Sequence, residues 1–305
     1  MKTGFIFPGQ GSQSVGMLSE LANTYGIVKK TFQQASDVLG YDLWKLVKEG
    51  PEELLNSTER TQPALLTAGV AVWRILQEKG ATPTVMAGHS LGEYTALVCA
   101  NAIDFHDAVS LVADRGRFMQ EAVPAGKGAM AAILGLADPD VEDICENTAQ
   151  GEVVSCANYN APGQIVIAGE KTAVERATKA LKEAGAKRAL VLAVSVPSHC
   201  ALMKPAAEAL QYRLESITVN SPSIPVIHNV DAKTHSDAGA IKKVLIEQLY
   251  QPVRWVDVMK SVNASSDQVI EAGPGKVLAG LAKRIDRSTI CYPIFDPTTL
   301  EKALS

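Results

Sequence analysis

The first 125 residues alternate between short apolar runs and longer stretches with helical periodicity. Residues 4–7 are an apolar run that predicts a buried strand, which the Pro8-Gly9-Gln10-Gly11 turn ends. Apolar side chains recur at helical spacing over residues 62–79, which predicts a long helix. A second strand is predicted over residues 84–87, followed by helices over residues 91–101 and 104–121. Strands that alternate with helices form parallel sheets covered on both faces, so we expect an α/β fold.

The pattern changes between residues 125 and 196, where the predicted order is strand, helix, strand, strand, helix, strand. The six segments are residues 130–134, 138–148, 153–157, 164–168, 172–184 and 189–194. This order is that of a ferredoxin-like unit. We therefore expect a small ferredoxin-like subdomain over residues 125–196, inserted into a large α/β-hydrolase-like, parallel-sheet domain made of residues 1–124 and 197–305.

The second part of the large domain also alternates between helices and strands. The predicted helices cover residues 201–217, 238–249 and 276–284, and the predicted strands cover residues 226–229 and 268–271. The second of these strands is expected to be the last buried strand of the chain.

Composition and charge narrow the classes of function. The chain has 305 residues, of which 29 are basic and 33 acidic, and its net charge of −4 disfavours a general nucleic-acid binder. Its apolar runs fall short of the roughly 18 residues that a membrane span needs, and the N-terminal run is too short for a signal peptide. The five cysteines form no C-x-x-C pair, so neither a disulfide framework nor a zinc site is indicated. We expect a cytoplasmic protein without contact to membranes.

The pentapeptide Gly88-His89-Ser90-Leu91-Gly92 has the pattern G-x-S-x-G and lies between a predicted strand and a predicted helix. That context is the one in which this pattern forms a nucleophile elbow, a sharp turn that exposes the serine hydroxyl. Ser90 is therefore the candidate nucleophile. The backbone N–H of Leu91, at the start of the next helix, is a candidate oxyanion donor.

A serine nucleophile needs a base, and the chain offers five histidines. His199 follows the last strand of the inserted unit, so it is expected at the seam between the domains. His228 is its rival on spacing alone. The remaining histidines, His89 in the elbow, His106 at a helix start and His235 in a polar turn, are interpreted as structural or surface residues.

Gly9-Gln10-Gly11 follows a strand, as in dinucleotide-binding loops, but Ser14 occupies the third glycine position of G-x-G-x-x-G. The segment from Gly11 to Gly16 also lacks the lysine of a phosphate-binding loop. We therefore expect no nucleotide cofactor, and no metal.

Five motifs occur in an order that resembles one known family. They are Phe7-Pro8-Gly9-Gln10-Gly11, Gly88-His89-Ser90-Leu91-Gly92-Glu93-Tyr94, Asp114-Arg115-Gly116, Pro197-Ser198-His199 and Glu247-Gln248-Leu249. Together they resemble the malonyl-CoA:acyl carrier protein transacylases of bacterial-type fatty acid synthesis, over essentially the whole chain.

The resemblance implies roles for six residues. Ser90 corresponds to the acylated nucleophile and His199 to its base, and Gln10 and the Leu91 N–H correspond to the oxyanion hole. Two further residues gain a role only from the resemblance: Arg115 as the clamp on the malonyl carboxylate, and Gln248 as the residue whose backbone carbonyl orients the histidine ring.

The activity implied is transfer of malonyl from malonyl-CoA to the phosphopantetheine thiol of acyl carrier protein, through a malonyl-serine. Coenzyme A thioester is then a substrate, no cofactor is needed, and the enzyme is expected to be a monomer. Two basic stretches are candidates to receive an acidic partner. They are Lys276, Lys283, Arg284 and Arg287 near the last predicted helix, and Lys187 and Arg188 in the small unit.

Three alternatives remain open at this point. A serine esterase or thioesterase shares the elbow but has no need of Arg115. A family member could use another acyl-CoA, with residues such as Met130 and Ser198 tuning the pocket. A scaffold that binds carrier protein without catalysis is disfavoured by the set of nucleophile, base and clamp.

Overall fold

The computed structural model describes residues 1–194 and 196–304. Ser195 and Ser305, which fall within the predicted domain ranges, lie outside the described residues. In the first part of the chain the elements are β1 (Thr3–Phe7), α1 (Ser19–Thr24), α2 (Gly26–Leu39), α3 (Leu43–Glu49), α4 (Glu52–Leu55), α5 (Thr58–Glu78), β2 (Val85–Gly88), α6 (Leu91–Cys99) and α7 (Phe105–Ala122).

The middle of the chain forms β3 (Gly128–Leu134), α8 (Asp138–Thr148), β4 (Val154–Ala161), β5 (Gln164–Glu170), α9 (Lys171–Glu183) and β6 (Arg188–Val191). A 3-10 turn at Ala201–Met203 then precedes α10 (Lys204–Glu215), β7 (Val226–Ile227), α11 (Ala238–Glu247), α12 (Trp255–Ser265), β8 (Gln268–Ala272), α13 (Val277–Ile285), β9 (Cys291–Ile294) and α14 (Pro297–Leu304).

The strands form two separate sheets. The first is a five-stranded parallel sheet in the order β7-β2-β1-β8-β9. The second is a four-stranded antiparallel sheet in the order β4-β5-β3-β6. The prediction of a mixed α/β protein with a parallel sheet and a separate strand-helix unit is therefore confirmed.

The parallel sheet is covered on both faces, and β1 shows how the sequence achieves this. Side chains alternate between the two faces of a strand. Phe5 and Phe7 therefore enter the larger core, beneath helices α2, α5, α6 and α7, while Ile6 enters a second core with Trp255 of α12 and Leu278 of α13. A strand that is buried on both faces reads as a continuous apolar run, which is why residues 4–7 lack alternation.

Several predicted boundaries differ from the structure. Helix α5 begins at Thr58, four residues before the predicted start. The buried residues of its first turns, Thr58, Thr61 and Gln62, are polar, so they form no apolar stripe in the sequence. The predicted strand over residues 226–229 ends at Ile227, and β4 continues to Ala161 through the segment expected to be a loop. The strand at Gln268–Ala272 is not the last, since β9 lies beside it at the sheet edge.

The antiparallel sheet is joined to the large sheet's connections through backbone hydrogen bonds. Tyr159 N–H donates to the Val253 carbonyl over 2.9 Å, and Val253 N–H donates to the Ala157 carbonyl over 2.9 Å. Strand β4 thus lies against the chain that leads into α12, and the two sheets meet along this seam. Among the described residues, no helix combines the length and apolar character needed to cross a membrane.

Helices α5 and α7 pack closely at Gly116, and a substitution there tests how tight this contact is. A β-carbon on Gly116 of α7 would lie 2.7 Å from Glu59 Cα, whereas a β-carbon on Gly280 of α13 would meet nothing within 4 Å. We expect Gly116→Ala to lower the free energy of unfolding by about 1–3 kcal/mol through overpacking. The matched Gly280→Ala variant should raise it by about 0.5–1 kcal/mol. Urea unfolding followed by circular dichroism measures both, and equal effects of the two substitutions would contradict the packing argument.

Candidate active site

Ser90 lies at a strained turn between strand β2 and helix α6. Its φ of 51° and ψ of −106° are unusual for a residue with a side chain. The flanking glycines make this turn possible, because a β-carbon on Gly88 would lie 1.9 Å from the Gly92 carbonyl, and one on Gly92 would lie 2.1 Å from the Phe7 carbonyl oxygen. The backbone therefore holds the Ser90 hydroxyl at the carboxyl end of the parallel sheet.

The His199 ring lies between Ser90 and a backbone carbonyl. Its Nε2 atom is 2.9 Å from Ser90 Oγ, and its Nδ1 atom is 2.6 Å from the Gln248 carbonyl oxygen. A carbonyl oxygen can only accept, so Nδ1 carries the proton and Nε2 is left to accept the proton of the serine. The His199 backbone N–H also donates to the Leu249 carbonyl over 3.0 Å, which fixes the residue to the end of α11.

Burial keeps His199 neutral. The residue is 3% exposed, and its pKa is lowered to about 3, first by desolvation and then by the positive charge of Arg115. Because an unprotonated imidazole is the form that accepts a proton, this environment leaves Nε2 available as a base throughout the physiological pH range.

Arg115 projects from α7 into the site and is 1% exposed. Its Nη1 atom donates to Gln62 Oε1 over 2.7 Å, and its Nη2 atom donates to Gln248 Oε1 over 2.9 Å. Nη2 also lies 3.3 Å from Ser90 Oγ. The guanidinium is therefore fixed beside Ser90 Oγ and donates hydrogen bonds to two neutral amide oxygens.

Gln10 and Leu91 face the same cavity as Ser90. Leu91 is the first residue of α6, where backbone N–H groups have no partner within the helix. Gln10 follows Gly9, whose β-carbon would lie 2.4 Å from the His89 carbonyl oxygen. The missing side chain of Gly9 lets the turn after β1 approach the elbow and brings Gln10 next to Leu91.

The cavity around these residues has a volume of about 200 Å³ and lies at the seam of the two sheets. One wall comes from the elbow and from the turn after β1. The opposite wall comes from the antiparallel sheet and the segment after it, including Met130, Asn158, Asn160 and Leu192. The six residues selected from the sequence are thus brought together: five line the cavity, and Gln248 is bonded to His199 and Arg115 behind it.

The other histidines have different partners. His228, the rival base, is fully buried and its Nδ1 atom is 2.7 Å from Glu93 Oε1. His89 Nε2 is 2.8 Å from Asn160 Oδ1, across the cavity from the large sheet. His106 pairs with Asp104 at the start of α7, and His235 pairs with Asp231. The interpretation of these last two as structural or surface residues agrees with their placement.

Sequence reasoning missed the polar residues behind the nucleophile. The Asn229 side chain accepts from the Ser90 N–H over 2.7 Å and donates to the Gly88 carbonyl over 2.7 Å, so it bridges two backbone groups of the elbow. Glu93 and Gln62 are also fully buried. Glu93 stands within one of the quoted motifs, but a sequence does not show that a glutamate two residues into a helix is buried. No group of three or more potential metal ligands is found in the part of the chain that the structure describes.

Comparison with known proteins identifies the family. The Acyl transferase domain family matches residues 4–288. The malonyl CoA-acyl carrier protein transacylase of Salmonella typhimurium is 57% identical over 303 residues, which is 99% of this chain and 98% of that protein. The corresponding protein of Bacillus subtilis is 47% identical over 305 residues, 99% of this chain and 96% of that protein.

Solved structures agree in fold along the whole chain. The crystal structure of an acyl carrier protein S-malonyltransferase from Vibrio cholerae has a TM-score of 0.97 at 57% identity and covers 99% of this chain and 100% of its own. A malonyl-transacylase in complex with a type II PKS acyl-carrier protein has a TM-score of 0.98 at 56% identity, with 100% and 99% covered. On these matches, the chain belongs to the malonyl CoA-acyl carrier protein transacylase family of acyl transferases.

Proposed function

We propose that this enzyme transfers the malonyl group from malonyl-CoA to the phosphopantetheine thiol of acyl carrier protein, and so supplies extender units for fatty acid synthesis. The observation that carries the proposal is the position of Arg115, a buried guanidinium 3.3 Å from the oxygen of a serine that is itself bonded to a neutral histidine. A nucleophile and base alone fit any acyl transfer. The Arg115 cation beside them favours an acyl group that carries a negative charge.

The first half of the reaction forms a malonyl-serine. His199 Nε2 takes the proton of Ser90 as Oγ attacks the thioester carbonyl carbon of malonyl-CoA. The negative charge that develops on the carbonyl oxygen faces the N–H groups of Leu91 and Gln10, and a donor of this kind contributes about 3–4 kcal/mol in the transition state. The carbon–sulfur bond then breaks, and the coenzyme A thiolate takes the proton from His199.

In the second half-reaction the carrier thiol is the nucleophile and Ser90 is the leaving group. The carrier thiol gives its proton to His199, its sulfur attacks the ester carbonyl, and the bond to Ser90 Oγ breaks as His199 returns the proton. Coenzyme A leaves before the carrier thiol attacks the malonyl-serine, and this order gives ping-pong kinetics. Both half-reactions use the same base and the same oxyanion site. Coenzyme A thioester enters as a substrate, and these residues supply every step without a cofactor.

Arg115 determines which acyl group the site accepts. The guanidinium can hold a carboxylate through two parallel hydrogen bonds, which malonyl offers and acetyl does not. An acetyl group would leave the buried cation without that partner. A serine hydrolase would gain nothing from this cation, so the transferase fits the site better than an esterase or thioesterase does.

Two domains are proposed with the boundaries given above. The antiparallel sheet order β4-β5-β3-β6 with helices α8 and α9 supports a ferredoxin-like subdomain at residues 125–196. The parallel sheet with its elbow after β2 supports an α/β-hydrolase-like domain for the remainder. The cavity between them is then the site of reaction.

Acyl carrier protein would meet the enzyme at exposed basic residues, of which Lys276 adjoins the cavity. Val277 and Val194 line the cavity and are exposed, so the entrance lies beside the start of α13. Lys276 and Arg284 are exposed on that helix, and Lys187 and Arg188 are exposed at the start of β6. An acidic carrier would be attracted to these charges. A monomeric state and a cytoplasmic location remain predictions.

The nucleophile is tested by intact mass spectrometry and peptide mapping. Mixing the protein with malonyl-CoA in the absence of carrier should add one malonyl group on Ser90, and adding carrier protein should discharge it. Ser90→Ala should show no adduct. An adduct that survives in this variant would refute the assignment, and malonate released without any adduct would favour a hydrolase.

The clamp is tested by changing the acyl donor. Arg115→Ala should lower kcat/KM for malonyl-CoA by at least about 100-fold, because a buried charged hydrogen-bond pair is lost. The same variant should accept acetyl-CoA at least as well as the wild type does. Arg117→Ala is the matched control, since Arg117 is exposed on the same helix and pairs with Asp114 and Glu121. An unchanged malonyl-to-acetyl ratio in Arg115→Ala would show that Arg115 is not the clamp.

The depressed pKa of His199 predicts the pH dependence of the first half-reaction. A base acts when unprotonated, and kcat/KM reports ionisations of the free enzyme. With a pKa of about 3 for His199, kcat/KM for malonyl-CoA should stay level as the pH falls from 7.5 to about 5. Circular dichroism at each pH controls for unfolding. A fall in rate centred near the ordinary histidine pKa of about 6.5 would contradict the prediction.

A further inference from the structure

Behind the cavity lies a fully buried carboxylate that the reaction does not use. Glu93, on α6, has three hydrogen-bonding partners: its Oε1 atom is 2.7 Å from His228 Nδ1, and its Oε2 atom accepts from the Asn229 N–H over 2.9 Å and from Gln248 Nε2 over 2.8 Å. All four residues are fully buried. A backbone N–H can only donate, so Glu93 Oε2 acts here as an acceptor.

Glu93 fixes which way the amide of Gln248 points. An amide carries an oxygen on one side and an NH₂ group on the other, and the two sides are nearly equal in shape. Because Glu93 accepts, the Nε2 side must face it, and this side also donates to the Ser90 carbonyl over 3.0 Å. Gln248 Oε1 is therefore directed at Arg115 Nη2. With the amide reversed, an NH₂ group would face the guanidinium and repel it.

The arrangement also separates two buried charges. Arg115 and Glu93 are joined through the amide of Gln248, so the cation and the anion compensate each other without direct contact. Burial lowers the pKa of Arg115, and the charge of Glu93 acts against that lowering. A carboxylate in direct contact with Arg115 would compensate it better, but it would occupy the hydrogen bonds that an incoming carboxylate needs.

We propose that Glu93 is a positioning residue for acyl-group selectivity. It orients the Gln248 amide so that Arg115 is held by neutral oxygens and stays open to the carboxylate of the substrate. This inference rests on the proposed malonyl transfer and adds a residue that touches neither the substrate nor the reacting atoms.

The first test exchanges the carboxylate and the amide. In the double variant Glu93→Gln/Gln248→Glu the number of charges and the size of both side chains are kept, but the carboxylate now contacts Arg115 directly. We expect kcat/KM for malonyl-CoA to fall by at least about 100-fold, since the clamp pairs with its own chain. Turnover of acetyl-CoA, which does not need the clamp, should fall less than that of malonyl-CoA, so the malonyl-to-acetyl ratio of kcat/KM should fall by at least about 10-fold.

The second test separates orientation from charge. Glu93→Ala removes one of the acceptors that orient the Gln248 amide, while the Ser90 carbonyl remains, so the malonyl-to-acetyl ratio of kcat/KM should fall about 10-fold. Glu93→Gln should keep the ratio within about 3-fold of wild type. Its amide oxygen can accept from Asn229 and Gln248, and its NH₂ group can donate to His228 Nδ1 in the tautomer that carries its proton on Nε2. Glu247→Gln, the same change at the partly exposed neighbour of Gln248, is the control and should leave the ratio unchanged.

Rates are normalised to active sites by the amount of enzyme that each donor acylates. A role in folding alone would lower the active fraction or the melting temperature and leave the selectivity ratio unchanged. An unchanged malonyl-to-acetyl ratio in Glu93→Ala overturns the inference. A double variant that keeps the wild-type ratio also overturns it. If Glu93→Ala does not fold, the double variant alone provides the test. Wild-type protein that transfers no malonyl would instead refute the proposed function.

Discussion

The site depends on how closely three stretches of backbone approach one another. The turn after β1, the elbow after β2 and the first turn of α6 meet at distances that only glycine allows at residues 9, 88 and 92. This contact forces Ser90 into its strained conformation and places the first N–H groups of α6 beside it. The proposed nucleophile and oxyanion donors are therefore positioned by one steric constraint, and little of their geometry depends on flexible side chains.

The same close packing excludes water from the site, and this explains why buried polar residues surround it. A buried charge is expensive unless other groups satisfy it. Arg115 and Glu93 meet this requirement through the side chains of Gln62, Gln248 and His228 and through the backbone N–H of Asn229. Together with the two charged residues, these groups come from five different segments of the chain. The hydrogen bonds that make these charges tolerable also fix their positions. Burial and preorganisation of the site are thus two consequences of one network.

Sequence alone predicted the residues that chemistry requires at a recognisable spacing. Ser90 is marked by its glycines, and the strand-turn-helix context is local, so both could be read directly. His199 was separable from His228 only through the family resemblance, because which histidine reaches the serine depends on how distant segments pack. Gln62, Glu93 and Asn229 were missed for the same reason: their types are ordinary, and only burial, a property of the whole fold, gives them a role. Strand β9 was missed because a four-residue run carries little periodicity, whereas helix α12 was missed although Trp255, Val258, Met259 and Val262 recur at helical spacing.

The proposed base and the proposed clamp are also coupled electrostatically. His199 and Arg115 both lie against Ser90 Oγ, and the charge of Arg115 is the second cause, after desolvation, of the lowered histidine pKa. In the proposed reaction the malonyl carboxylate offsets that charge, so the histidine becomes a stronger base when the correct acyl group is bound. An acyl group without a carboxylate leaves the charge in place and meets a weaker base. Selectivity then acts on the chemical step as well as on binding, because the group that recognises the substrate lies within hydrogen-bond range of the group that reacts with it.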